Sequence, residues 1–251
     1  MTAVIPIKRR DATSLGEFVP GDQIASQYLI LPPGYIDGLG MEWVSGTSLR
    51  VASGAAYVQG LGYVLVAPNA ITKSGLSLTA ATWYQVYLCL NGSTPDIEIV
   101  TTAPAAPYIG AARSKTGDTS RRYVGSLRTG SDGAILPFVQ VGSTIHYIET
   151  SGAAPPYRVV ANATPTAYAQ ADLSAIVPAT SQLATCDLQN LSTNGYVSLA
   201  YPGRNVNLYL SPNYRTQIAI ALNAQEFAYR YDVAPAGGGF YVDVHSYVFG
   251  R

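Results

Sequence analysis

The chain has 251 residues, of which 15 are basic and 15 are acidic, so its formal net charge is zero. This balance argues against electrostatic capture of nucleic acid, which requires a clustered basic face. Only 12% of the residues are charged, whereas tyrosine occurs 19 times, glycine 24 times and proline 16 times. A chain so poor in charge is typical of a protein that buries surface against other subunits or binds through tyrosine.

Residues 1–34 are interrupted by proline and glycine and show no sustained hydrophobic period. We do not expect the start to be a secretion signal, because the basic run 8–10 follows a short apolar stretch instead of preceding a longer one. Residues 11–15 are compatible with a single short helical turn. We interpret residues 1–34 as an extended attachment arm that becomes ordered by docking on another protein.

Residues 35–150 consist of short strand candidates separated by turn signals, which predicts a first β-rich domain. Residues 83–90 are apolar on both faces, as expected of a central covered strand. Gly60 and Gly62 lie between two apolar runs, at 56–58 and 63–66, and predict a hairpin.

Residues 151–157 include Pro155 and Pro156 and predict a stiff linker to a second domain at 158–251. In that domain, strand candidates recur about every ten residues, a spacing that favours a sandwich or a jelly roll. Residues 168–173 are compatible with a short helical turn. The sequence therefore predicts an all-β fold, with two β-sandwich, jelly-roll-like domains behind an extended N-terminal segment.

The sequence contains no nucleophile elbow, phosphate loop, zinc-protease motif or Cys-x-x-Cys pair. Asp96 and Glu98 point to the same face of a strand candidate. Paired carboxylates are in principle compatible with glycosidic bond cleavage, but the solvated side of a half-buried strand is the plainer explanation, since Ile97 and Ile99 occupy the other side. Cys89 and Cys186 lie in apolar runs, which favours buried free thiols over a disulfide. We expect no enzymatic activity, no cofactor and no metal site.

The last strand candidate carries a row of polar and aromatic residues. Strand alternation places Tyr241, Asp243, His245 and Tyr247 on one face, opposite an apolar row. Tyrosine offers apolar area and a hydroxyl, so this row is suited to stacking on sugar rings. It is equally suited to a subunit interface, and plain surface is the third possibility. His245 and the distant His146 have no evident partners for a metal or acid–base role.

Several stretches of residues 1–148 resemble the tail-fibre-type proteins of tailed bacteriophages. The motifs that carry the resemblance are Pro20-Gly21-Asp22, Leu49-Arg50-Val51-Ala52-Ser53-Gly54, Thr82-Trp83-Tyr84-Gln85-Val86-Tyr87-Leu88 and Arg122-Tyr123-Val124-Gly125-Ser126-Leu127. They are structural motifs, made of turns and buried aromatic residues. Residues 158–251 are similar only to the generic β-sandwich ends of such proteins.

The resemblance implies a virion structural protein, a short tail fibre or a tail-tip or baseplate adaptor involved in assembly and host attachment. It implies a homotrimer made in the host cytoplasm and carried in the virion tail, with residues 1–34 bound to other tail proteins. The alternative is a lectin-like receptor-binding protein whose C-terminal domain recognises a host surface glycan. No membrane insertion is expected, because no apolar run approaches the length of a membrane span.

Overall fold

The computed structural model describes residues 7–9, 15–17, 32–148, 157–201 and 204–251, with side chains described in 32–148, 157–200 and 208–251. These residues form strands, turns and bends but no helix, which confirms the all-β class. None of them therefore belongs to a helix that could cross a bilayer. The predicted helical turn at 11–15 lies almost wholly outside the described residues, and Leu15 itself is in a strand.

The strands in the described ranges are β1 (Ile7–Arg9), β2 (Leu15–Glu17), β3 (Ile36–Gly38), β4 (Met41–Ser45), β5 (Ser48–Val51), β6 (Gly54–Val58), β7 (Tyr63–Ala67), β8 (Ile71–Lys73), β9 (Trp83–Asn91), β10 (Thr94–Val100), β11 (Ser114–Lys115), β12 (Asp118–Arg128), β13 (Phe138–Val141), β14 (Thr144–Tyr147), β15 (Arg158–Ala163), β16 (Ala169–Asp172), β17 (Ser181–Ser192), β18 (Val197–Tyr201), β19 (Arg204–Leu210), β20 (Tyr214–Ala221), β21 (Glu226–Tyr231) and β22 (Gly237–Phe249).

The first part of the chain is built on a four-stranded sheet in the order β10-β9-β12-β11. Strand β9 is central and buried over most of its length, as its two apolar faces predict. The two three-stranded sheets β3-β6-β7 and β4-β5-β8 pack beside it. The predicted hairpin is the β6–β7 pair, with Val58 opposite Tyr63.

The C-terminal part is a sandwich of two antiparallel sheets. One has the order β13-β14-β22-β17-β20, with β15 also paired to β22, and the other has the order β16-β21-β18-β19. Phe227, Tyr229 and Tyr231 of β21 face the first sheet, where the Tyr229 and Phe240 rings lie 5.0 Å apart. The predicted helical turn at 168–173 is wrong, because residues of this stretch pair with β21 as β16.

Strand pairing crosses the predicted linker. β14 pairs with β22, so residues 144–146 join the sheet of the C-terminal sandwich. The turn at 174–176 also receives three hydrogen bonds from earlier residues: Trp83 donates to Ser174, Arg128 to Ala175 and Tyr147 to Ile176. Residues 149–156 lie outside the described residues, and the division of the chain into two domains stays a prediction.

A continuous series of aromatic contacts joins the two parts of the chain. Tyr247 lies at its centre, with its ring 6.2 Å from Trp83 and 5.8 Å from Tyr147. Phe249 lies next to Tyr247 and contacts Tyr123, at 6.3 and 6.4 Å between ring centroids. The Tyr247 hydroxyl donates a hydrogen bond to the Ser126 carbonyl at 3.2 Å. One aromatic core therefore serves both sides of the predicted linker.

Tyr247 corrects one sequence prediction. Simple alternation placed it on the exposed face with Tyr241, yet only 1% of its surface is exposed. The register of β17 with β22 shifts between Thr185, which faces Ser246, and Cys186, which faces Val244. This bulge inserts one extra residue into β22 and reverses the alternation beyond it. Tyr247 consequently points into the core.

The burial of Tyr247 leads to a prediction about stability. Tyr247→Ala should cost about 3–5 kcal/mol of unfolding free energy, because it leaves a cavity in the aromatic core. Tyr247→Phe should cost about 1 kcal/mol, the net value of one hydrogen bond. Tyr241→Ala, on the outer face, should cost no more than about 1 kcal/mol. Urea unfolding followed by circular dichroism measures all three, and equal costs for the two alanine variants would contradict the bulge.

The buried tyrosines also predict loss of stability in alkali. Burial raises the pKa of Tyr87, Tyr147 and Tyr247 above the ordinary value and that of Tyr231 to about 12. Unfolded tyrosine loses its proton near pH 10, while the folded groups keep theirs, so their stabilisation is complete below about pH 10 and is lost as the pH rises further. Tyrosinate absorbance should therefore appear in two phases, the second together with unfolding. A single phase near pH 10 in a folded protein would contradict this.

Candidate functional site

Three of the four predicted site residues lie together on the outer face of the six-stranded sheet. Tyr241 and Asp243 are half-buried there, and His245 is exposed. Arg158 of β15 donates to both carboxylate oxygens of Asp243, at 2.8 and 2.9 Å. Its guanidinium also lies over the Tyr241 ring, 5.0 Å from the centroid. Arg158 therefore covers part of the ring surface that a sugar would need.

A second carboxylate adjoins this group. Asp187 of β17 is the cross-strand partner of Asp243, and Arg215 of β20 donates to both of its oxygens. The row Arg158–Asp243–Asp187–Arg215 thus crosses four neighbouring strands with its charges balanced. The hydrogen bonds that Arg158 donates to the Asp243 carboxylate raise the pKa of Arg158. With both carboxylates bound by arginine, this row is suited to fixing the register of the sheet and not to acid–base chemistry.

The histidines form a separate contact beside this row. His146 of β14 and His245 of β22 lie with ring centroids 6.1 Å apart. Within the described ranges, no group of three or more His, Cys, Asp or Glu residues is arranged to hold a metal ion. Among the described residues, the geometry supplies no third ligand for the histidine pair.

The other residues weighed from the sequence are also placed. Asp96 pairs with Lys73 at 2.7 Å and Glu98 with Lys115 at 3.0 Å, on the outer side of β10. Although burial opposes it, the hydrogen bond from Lys73 lowers the pKa of Asp96, the reverse of what a general acid requires. Cys89 and Cys186 are buried free thiols, as predicted. Burial raises the pKa of Cys186 to about 12, so this thiol stays protonated and unreactive.

One side of the C-terminal sandwich is open, a feature that was not predicted from the sequence. Among the described strands, β20 pairs only with β17 and β19 only with β18, and both edges border one apolar groove. The groove has a volume of about 170 Å³. Its lining residues are Leu199, Ala200, Leu208, Ile218, Ala219, Ile220, Ala221 and Phe227. The alternation of Ile218 and Ile220 predicts a strand, but it does not indicate that this strand lies at the edge of a sheet.

The outer face of the second sheet presents an aromatic row that the sequence analysis also missed. Tyr209 lies opposite Ser198, and Ser198 lies opposite Arg230. The Arg230 guanidinium lies over the Tyr168 ring, 4.8 Å from its centroid. Tyr209 and Tyr168 are 57% and 42% exposed, whereas Ser198 between them is buried. The result is a shallow surface with two accessible tyrosine rings and an exposed arginine.

No protein-family model matches the chain, and no match is found among curated proteins.

Proposed function

We propose that this protein is a structural component of a bacteriophage tail, a short tail fibre or a tail-tip or baseplate adaptor. It would act in virion assembly and host attachment as a homo-oligomer, a trimer in keeping with the resemblance. Residues 1–34 would attach it to other tail proteins in the virion. The observation that carries the proposal is the open apolar groove between β19 and β20, because subunit contact would cover such a surface.

Strand β20 supports the proposal through its composition. Its eight residues contain no lysine and no proline, and its pairing with β17 has no bulge. Lysine, proline and bulges are the features by which an exposed edge strand ordinarily resists association, and β20 has none of them. The charge on the strand, Arg215, is already balanced by Asp187. A partner therefore needs to supply apolar contact and strand hydrogen bonds, and no opposite charge.

Ile218→Lys tests this assembly role. A lysine in the groove would have to be desolvated on association, so we expect the oligomer to dissociate while the protomer stays folded. Leu191→Lys adds the same charge to the outer face of the central strand β17 and should leave the oligomer intact. Light scattering gives the mass of each protein in solution. A wild-type monomer at micromolar concentration, or a variant mass unchanged by Ile218→Lys, would contradict the proposal.

A lectin-like receptor-binding role is the second candidate, favoured by the exposed pair Tyr168 and Tyr209. Stacking on tyrosine rings and hydrogen bonds from Arg230 are suited to a sugar bearing hydroxyl or carboxylate groups. Arg230 lies over one face of the Tyr168 ring as Arg158 does over Tyr241. The second surface is nevertheless more open, because Tyr168 and Tyr209 are exposed whereas Tyr241 is half-buried.

Measuring binding to host surface glycan distinguishes the Tyr168–Tyr209 surface from the row that contains Tyr241. The double variant Tyr168→Ala/Tyr209→Ala should reduce binding at least tenfold, and Tyr241→Ala should leave it within twofold, by analogy with base stacking on aromatic residues. Glycan-array binding or host-cell adsorption measures the effect, with oligomer mass as the control. Unchanged binding by the double variant would contradict a role for the Tyr168–Tyr209 surface. Absence of binding by the wild type would contradict the lectin-like role.

A further inference from the structure

Arg122 is a fully buried arginine in the four-stranded sheet, with an exposure of 0%. It lies on β12, with Leu88 of β9 as its cross-strand partner. A guanidinium keeps its charge at every physiological pH, and burying that charge without a counter-charge is unfavourable by several kcal/mol. The surroundings of this side chain therefore need an explanation.

Its hydrogen bonds are incomplete. Nη1 donates to the carbonyl oxygens of Arg113 and Tyr123, both at 3.3 Å. Nε and Nη2 have no hydrogen-bond partner among the described residues. The adjacent Arg121 also has a buried Nε without a hydrogen bond, but a carboxylate oxygen of Glu98 lies 3.3 Å from it. No such counter-charge accompanies Arg122 in the described ranges.

The groups near Arg122 are aromatic or positive. The Tyr108 ring centroid lies 5.9 Å from Cζ. Burial lowers the pKa of Arg122; Tyr108 opposes this shift, and the positive charge of Arg251 adds to it. Arg251 itself donates to the Leu39 carbonyl at 3.0 Å, and Arg113 donates to the Ala105 carbonyl at 2.9 Å. The arginines around Arg122 thus bind carbonyl groups and leave its charge unbalanced.

The unpartnered edge of Arg122 is the one that binds carboxylate elsewhere in this protein. Arg158 holds Asp243 through Nε and Nη2, and Arg215 holds Asp187 through the same two atoms. These two N–H groups are parallel and match the spacing of two oxygens on one oxyanion. We propose that the Nε–Nη2 edge of Arg122 is an oxyanion-binding site, for a carboxylate, sulfate or phosphate group.

A cavity of about 480 Å³ lies beside residues that contact Arg122 but is not lined by Arg122 itself, so a ligand entering from it has to displace side chains to reach Nε and Nη2. Its lining includes Arg113, whose carbonyl accepts from Arg122, and Gly250, the neighbour of Arg251. The oxyanion can come from two sources, a free ion or the carboxylate of a protein segment. Both would make the same paired hydrogen bonds, and the experiment distinguishes them.

Thermal unfolding in sodium sulfate, compared with sodium chloride at equal ionic strength, tests the free ion. Sulfate stabilises proteins in general, so the measured quantity is the extra shift of the wild type over Arg122→Met. At a sulfate concentration ten times its Kd, we expect about 3 °C of extra shift. Arg122→Lys, which keeps the charge but loses the paired donors, should lose most of this extra shift. Arg50→Met, which removes an exposed arginine paired with Glu42, should retain it.

Crystals grown with selenate locate the group directly. An anomalous peak within hydrogen-bond distance of Nε and Nη2, together with the extra thermal shift, establishes a free ion. A protein carboxylate on the same two atoms, with no extra shift, establishes the second source. Water alone at both atoms would overturn the proposal. A selenate peak without an extra shift in solution would overturn it too, as binding at crystal concentration only. None of these outcomes depends on the proposed role in a phage tail.

Discussion

Tyr247, near the end of β22, joins the first four-stranded sheet to the C-terminal sandwich. β22 is bonded along one edge to β14 and β15 and along the other to β17, so it is central to the largest sheet. Tyr247 projects from it against Trp83 and Tyr147 and bonds the Ser126 carbonyl. Because that carbonyl belongs to β12, the final strand holds the first sheet and the C-terminal sandwich in contact.

The strands were largely predictable from the sequence, whereas their long-range partners were not. Alternation and apolar runs located β9 and the β6–β7 hairpin, because local periodicity reports local burial. It cannot report that β14 pairs with a strand about a hundred residues later, since that choice depends on long-range packing. The bulge beside Cys186 had no local signal either. One inserted residue was enough to move Tyr247 from the expected binding face into the core.

The few charges in the chain are used mainly within the sheets. Arg158 and Arg215 bind Asp243 and Asp187 on one outer face, and Lys73 binds Asp96 on another. Pairs of this kind at the surface contribute little to stability, but they fix which strands lie side by side. They also leave these faces nearly neutral. The low net charge of these faces therefore reflects the pairing of acidic with basic side chains as well as their small number.

The open side of the sandwich limits which assemblies are possible. If two copies of β20 paired antiparallel about a two-fold axis, the same groove would meet itself and the assembly would close as a dimer. The trimer implied by the resemblance requires a different geometry, in which the groove of one protomer meets another surface of its neighbour. The groove is apolar, and the nearby Asp187–Arg215 pair is internally balanced. Contact through it would therefore be driven by burial of apolar area and depend little on ionic strength.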